Sequence, residues 1–328
     1  MSELPKISDL DITGKKVIAR VDLEYTSKES PRGKATDGIV TYLKEHGATK
    51  IKLVGHKGLK EMSSWWDGVE VNYDIRADNR EMENSPEMAE ELSVGWDVFV
   101  NESFAESHRE YTSVNALPKF MKSKNFPVCI GLRFKEEIEN LERVFPSASS
   151  GSNRPVVMVI SGIKEDKKEY IKNFLQFADK ILVGGRLPEY FSEEERDTPV
   201  TLQDGKLIIA KLTPDKEDIT LHTIERFEKE LDSAGTIVVS GPLGKFEDEG
   251  HRQGTEAVFK AVVENGNAFK VAGGGDTEKA LQVLSKSLSL REGKEINLPG
   301  GFNWISVGGG AMLEFLANRT LPGIEALR

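Results

Sequence analysis

The second half of this chain repeats one pattern five times: a short apolar strand that runs into glycine. Val156 to Ile160 precedes Ser161-Gly162, Lys180 to Val183 precedes Gly184-Gly185, and Thr236 to Val239 precedes Ser240-Gly241. Phe269 to Ala272 precedes Gly273-Gly274-Gly275, and Asn303 to Val307 precedes Gly308-Gly309-Gly310. Strand, loop and helix in alternation predict an α/β fold with a parallel sheet. Glycine at the carboxyl ends of such strands is where ligands gather. The fullest copy, Gly273 to Thr277, adds an acid and a hydroxyl before a helical pattern from Glu278. Residues without Cβ let backbone approach a ligand closely, and a helix start offers free N–H groups and a positive dipole end. Asp276 suits a phosphate only if a divalent cation bridges the two. By itself this stretch fits equally well a tight strand-to-helix turn with a Thr N-cap. Five such ends in one half favour a nucleotide cleft.

The chain has 328 residues, enough for two domains with their own cores. Apolar content of 38% and charged content of 30% read as soluble and globular. The single Cys129 excludes a disulfide framework and fits a reducing compartment. Five scattered histidines give no zinc spacing. No apolar stretch approaches the ~20 residues of a membrane span, and the N-terminus lacks a signal-peptide core. A net charge of −10 argues against nucleic acid as a partner. The expectation is a monomeric cytoplasmic protein that binds small molecules.

In the first half, Lys15 to Asp22 and Thr49 to Val54 read as strands, and Asp37 to Glu45 as a helix closed by His46-Gly47. Pro86 opens a helix over PEMAEELS, and Asp97 to Val100 is another buried strand. Glu61 to Asn72 holds two tryptophans and no period. An apolar stripe of Phe134, Ile138, Leu141 and Phe145 defines a helix that stops at the Pro/Ser/Gly run from Pro146 to Ser152. The domain boundary is placed there: residues 1–145, then 146–310, with a helix and tail over 311–328 returning toward the first domain. In the second half, Lys164 and Lys168 stand four apart and continue the Ile171–Leu175 row toward a helix N-terminus. Two lysines there are either a wet face or the receivers of an anion. SGPLGKFE (240–247) is not a Walker loop, and no G-x-G-x-x-G is present.

Taken together, Gly162-Ile163-Lys164 with Lys168, SGPLGKFE, GGGDTEKA (273–280), and GGGAMLEFL followed by LPGIEAL resemble the phosphoglycerate kinase family. VIARVDL, the VGHKG turn and DVFVNESFAESHREYTS resemble it more loosely, and the chain looks short for the family. The resemblance implies two Rossmann-like three-layer α/β domains with parallel sheets, joined by a hinge helix. It implies reversible phosphoryl transfer between 1,3-bisphosphoglycerate and ADP, with ADP or ATP as substrate and Mg²⁺ as cofactor. Carried over, Lys168 holds the terminal phosphate, Lys164 the transferring group and Asp276 the metal. Gly274, Gly275 and Thr277 take phosphates, and Glu247 takes the ribose. Gly162, Gly184, Gly185, Gly241 and Pro242 complete the nucleotide side. On the acceptor side stand Asp22, His56, Lys60, Arg109 and Arg32, the last as the transition-state arginine.

Several positions depart from the family pattern. Glu24 replaces an asparagine, and its carboxylate repels an anionic acceptor unless a lysine neutralises it. Leu59 replaces an arginine, losing a bidentate clamp for which Lys60 offers only a point charge. Glu102 replaces an aspartate, and Glu106 adds a charge to its loop. The alternative reading is therefore a nucleotide-binding homologue with an altered acceptor or no turnover. A dinucleotide-dependent oxidoreductase lacks its fingerprint here.

Overall fold

The computed structural model describes residues 4–146, 154–192, 205–293 and 295–328. Contacts divide the chain into two compact units, Met1–Glu139 with Arg319–Arg328, and Asn140–Asn318. The Ser/Gly run read as a linker lies almost wholly outside the described residues, as does the acidic stretch from Glu193 to Asp197.

The first unit holds a five-stranded parallel sheet in the order β3-β2-β1-β4-β5. Its strands are β1 (Lys16–Arg20), β2 (Lys50–Val54), β3 (Val69–Asn72), β4 (Val98–Asn101) and β5 (Val128–Ile130). Its helices are α1 (Pro31–Glu45), α2 (Pro86–Ser93) and α3 (Leu117–Ser123), and α4 (Leu132–Glu142) crosses the division between the units. Central strands buried on both faces read as near-continuous apolar runs, and Val17, Ile18 and Ala19 are fully buried. Helix α1 starts well before the expected Asp37. Ser30 caps it, accepting a hydrogen bond from the Gly33 N–H at 3.1 Å, and Pro31 occupies the first turn. That first turn is polar, so no apolar period announces it. The stretch before Asn72, which shows no period, forms a 3-10 turn, Lys60–Ser64, and edge strand β3. Residues 319–328 close this unit through the short helix Pro322–Glu325, with Gly323 N–H donating to Ser107 O at 2.9 Å.

The second unit holds a six-stranded parallel sheet in the order β11-β10-β9-β6-β7-β8. Its strands are β6 (Val156–Ile160), β7 (Lys180–Val183), β8 (Leu207–Ile209), β9 (Thr236–Ser240), β10 (Phe269–Gly273) and β11 (Trp304–Ser306). Its helices are α5 (Lys167–Phe174), α6 (Leu221–Asp232), α7 (Gln253–Glu264), α8 (Gly275–Glu292) and α9 (Gly309–Asn318). From β6 the chain winds outward through β7 and β8, and from β9 it winds the other way through β10 and β11. With right-handed crossovers this puts helices on both faces, and it makes the β6–β9 border the switch point of a doubly wound sheet. All five glycine-bearing strand ends belong to adjacent strands of this sheet. One packed core lies against it, including Val157, Leu182, Phe227, Val239, Phe259 and Leu284.

Candidate active site

At the carboxyl edge of the second sheet, glycines bring separate loops into backbone contact. Gly241 has φ +100, and a Cβ there would lie 2.1 Å from Ser161 O. The turn after β10 bends at Gly274 (φ +102), the residue before α8. Asp276 therefore sits in the first helical turn and is exposed, as is Gly275. Thr277 is not the N-cap. It is 1% exposed, accepts from Gly241 N–H at 2.8 Å and donates to Gly273 O at 2.8 Å. One hydroxyl thus ties the β9 loop to the β10 loop. Pro242 O accepts from Ser161 Oγ at 2.6 Å, and Gly162 and Gly185 adopt positive φ in the neighbouring turns.

The lysines fall differently from the sequence expectation. Lys164 is exposed. Lys168 turns away from the strand ends: its ammonium donates to Tyr190 O at 2.7 Å and sits 4.3 Å from the Phe191 ring centroid. Lys167, absent from the sequence candidates, occupies the switch point. Its ammonium donates to Ser161 O at 2.5 Å, and to Ser240 O and Ser240 Oγ, both at 3.2 Å. Burial pushes the Lys167 ammonium down to about 8, against the pull of Asp166 and Asp276. A signal for it does exist in the sequence: Lys167 stands four residues before Ile171 and so heads the buried row of α5. Glu247 is exposed and ion-paired to Lys279 at 3.1 Å. Gly184 packs close to Leu243.

In the first unit, Asp22 follows β1 and meets Arg32 of α1, with Arg32 Nε 3.2 Å from Asp22 Oδ2. Burial raises the Asp22 carboxyl, opposed by Arg32. His56 follows β2, is 4% exposed, and lies 2.8 Å from Glu81 Oε1. Glu81 in turn accepts from Ser113 Oγ at 2.6 Å and Ser113 N–H at 2.9 Å. Arg20 is buried and donates to the same Ser113 Oγ at 3.0 Å. Lys60 and Arg109 stand exposed. Of the other basic residues, Arg80 is held by Asp78 and Glu91 and Arg133 by Glu137.

The family model for phosphoglycerate kinase matches residues 69–200 and 202–319. The chain belongs to the phosphoglycerate kinase family. It is a phosphotransferase, and the family's reaction is the reversible glycolytic transfer of a phosphoryl group between 1,3-bisphosphoglycerate and ADP. The phosphoglycerate kinase of Solibacter usitatus is 28% identical, with 98% of each chain covered. That of Acidobacterium capsulatum is 30% identical over 77% of this chain and 69% of its own. The phosphoglycerate kinase structure from Coxiella burnetii superposes with a TM-score of 0.76 at 24% identity, covering 99% of both chains. That from Pyrococcus horikoshii gives 0.74 at 24% identity, covering 99% of this chain and 98% of its own. The two parallel-sheet units are thus the family's fold. The family-model match begins beyond Asp22, Arg32, His56 and Lys60.

Proposed function

We propose that the second unit holds Mg-ADP or Mg-ATP at its glycine-bearing strand ends and that the first receives the phosphoglycerate. Lys167 at the β6–β9 switch point is the observation that carries this reading. Phosphoryl transfer spreads charge over three equatorial oxygens, and catalysis is largely positioning and electrostatics. An ammonium fixed by three oxygens, together with the N–H groups at the start of α8, offers such positioning. Lys167 takes the phosphate role, and exposed Lys164 beside it is free to follow the transferring group. Glu247 accepts the ribose hydroxyls after release from Lys279. Asp22 orients Arg32 toward the acceptor's anionic groups, with His56, Lys60 and Arg109 as further contacts.

The donor set at α8 fits Mg²⁺. That ion usually binds one or two carboxylates plus substrate phosphates rather than a protein cage. Asp276 supplies one exposed carboxylate, and no cluster of three or more metal-ligating side chains occurs among the described residues. When bound, the ion neutralises charge on the phosphates. The test is an ADP titration by calorimetry with and without Mg²⁺. Magnesium is expected to tighten binding to the native protein and to have little effect on Asp276→Asn. Equal enhancement in both would remove Asp276 from the metal site.

The free-protein acidity of Lys167 sets a pH dependence. Above about pH 8 the amine loses its proton, and with it the attraction for phosphate. A bound anion favours the charged form, so ADP affinity is flat below that pH and falls above it. Lys167→Arg stays charged and is expected to abolish the fall; a fall that persists points to another group.

We further propose a cytoplasmic protein, consistent with a free, buried Cys129. No helix among the described residues is long and apolar enough to cross a membrane.

A further inference from the structure

Two carboxylates that depart from the family pattern lie against the basic groups of the first unit. Glu24 forks between two cations, with Oε1 3.1 Å from Lys57 Nζ and Oε2 3.6 Å from Arg32 Nη1. Arg32 Nη1 also donates to the Glu24 carbonyl at 3.3 Å. The loop is set for this contact, because the Glu24 N–H donates to Asp22 Oδ1 at 3.0 Å. Glu106 places Oε2 3.5 Å from His56 Nδ1, while Glu81 occupies the other ring nitrogen. Burial opposes the Glu106 charge, but His56, Arg20 and His108 outweigh it and hold the carboxyl down to about 2. It is therefore an anion throughout the physiological range.

We infer that Glu24 and Glu106 act as internal competitors for the acceptor, occupying Arg32, Lys57 and the His56 ring, which would otherwise meet its phosphate and carboxylate. The inference rests on the reading that Arg32 and His56 receive the acceptor. Asp22, Glu24, Arg32 and Lys57 sum to zero formal charge, since two acids face two bases. An incoming anion meets Arg32 Nη1 by displacing the Glu24 carboxylate, and Lys57 is released by the same movement. Glu24 is about half exposed (side chain 47%), so it swings into water at little cost. The consequence is a weaker ground-state grip on the acceptor with the transfer step itself intact. Glu24 and Glu106 are specificity-determining residues in this sense, setting how much negative charge an acceptor must bring.

The test is steady-state kinetics of the full chain with 3-phosphoglycerate and Mg-ATP. Glu24→Asn is expected to lower the KM for 3-phosphoglycerate by roughly fivefold, the scale of two half-exposed ion pairs, with kcat and the KM for ATP unchanged. Glu24→Gln, which keeps side-chain length, is expected to do the same. Glu106→Gln is expected to lower the KM in the same direction. An unchanged or raised KM in both Glu24 variants, with native folding by circular dichroism, would overturn the inference. A native protein that shows no turnover at all would instead count against the functional reading on which it rests.

Discussion

Replacing Lys167 with alanine is expected to lower kcat by roughly 10²- to 10³-fold, the scale of losing one preorganised donor to developing charge. Three oxygens from two strand ends hold its ammonium at the switch point, and an arriving phosphate exchanges for the longer contacts to Ser240, both at 3.2 Å. A native near-UV spectrum separates lost chemistry from lost folding. Lys168→Ala is the matched comparison. Its ammonium is spent on Tyr190 O and the Phe191 ring, so its kcat is expected to stay within about threefold of the native value, as for a surface substitution. A large loss in Lys168→Ala with little in Lys167→Ala would return the phosphate role to Lys168.

The second large effect is structural. In Gly241→Ala, the new methyl would lie 2.1 Å from a backbone oxygen of the β6 loop, in a conformation at φ +100 that L residues avoid. Side-chain rotation cannot relieve a contact between Cβ and backbone, so the β6 and β9 loops must part. The cost is about 3 kcal/mol. For a unit of this size that is roughly 6–12 °C in Tm. Separating the loops also strains the Gly241–Thr277 hydrogen bond, so nucleotide affinity is expected to fall with stability. Gly205→Ala provides the control: φ there is +75, but nothing among the described residues lies within 4 Å of the added Cβ. It is expected to cost about 1 kcal/mol from backbone strain. Equal melting temperatures for the two variants would show that close loop approach contributes nothing.

Much of this molecule is legible in its sequence because the second sheet is buried on both faces and its glycines punctuate it. Strands such as Val156–Ile160 and Lys180–Val183 match the apolar runs residue for residue. What escapes is local and polar. Helix α1 begins at Pro31 rather than Asp37, because its first turn is fixed by a serine cap. Edge strand β3 hides after two tryptophans, since an edge buries too little for alternation to show. At the nucleotide side, spacing four apart selects Lys164 and Lys168, yet the buried row of α5 runs back from Ile171 to Lys167. One residue of phase separates a lysine on the strand ends from one on Tyr190. On the acceptor side, the resemblance marks Glu24 as a departure and leaves its neutralisation open; the folded chain sets Lys57 and Arg32 on the same carboxylate.

The most direct test of the account is turnover of 3-phosphoglycerate with Mg-ATP, followed by coupling the acyl phosphate to NADH oxidation through a dehydrogenase. The predicted result is NADH loss that needs all three of protein, ATP and 3-phosphoglycerate, and that collapses in Lys167→Ala. Tight ADP binding with no NADH loss at saturating 3-phosphoglycerate would contradict it.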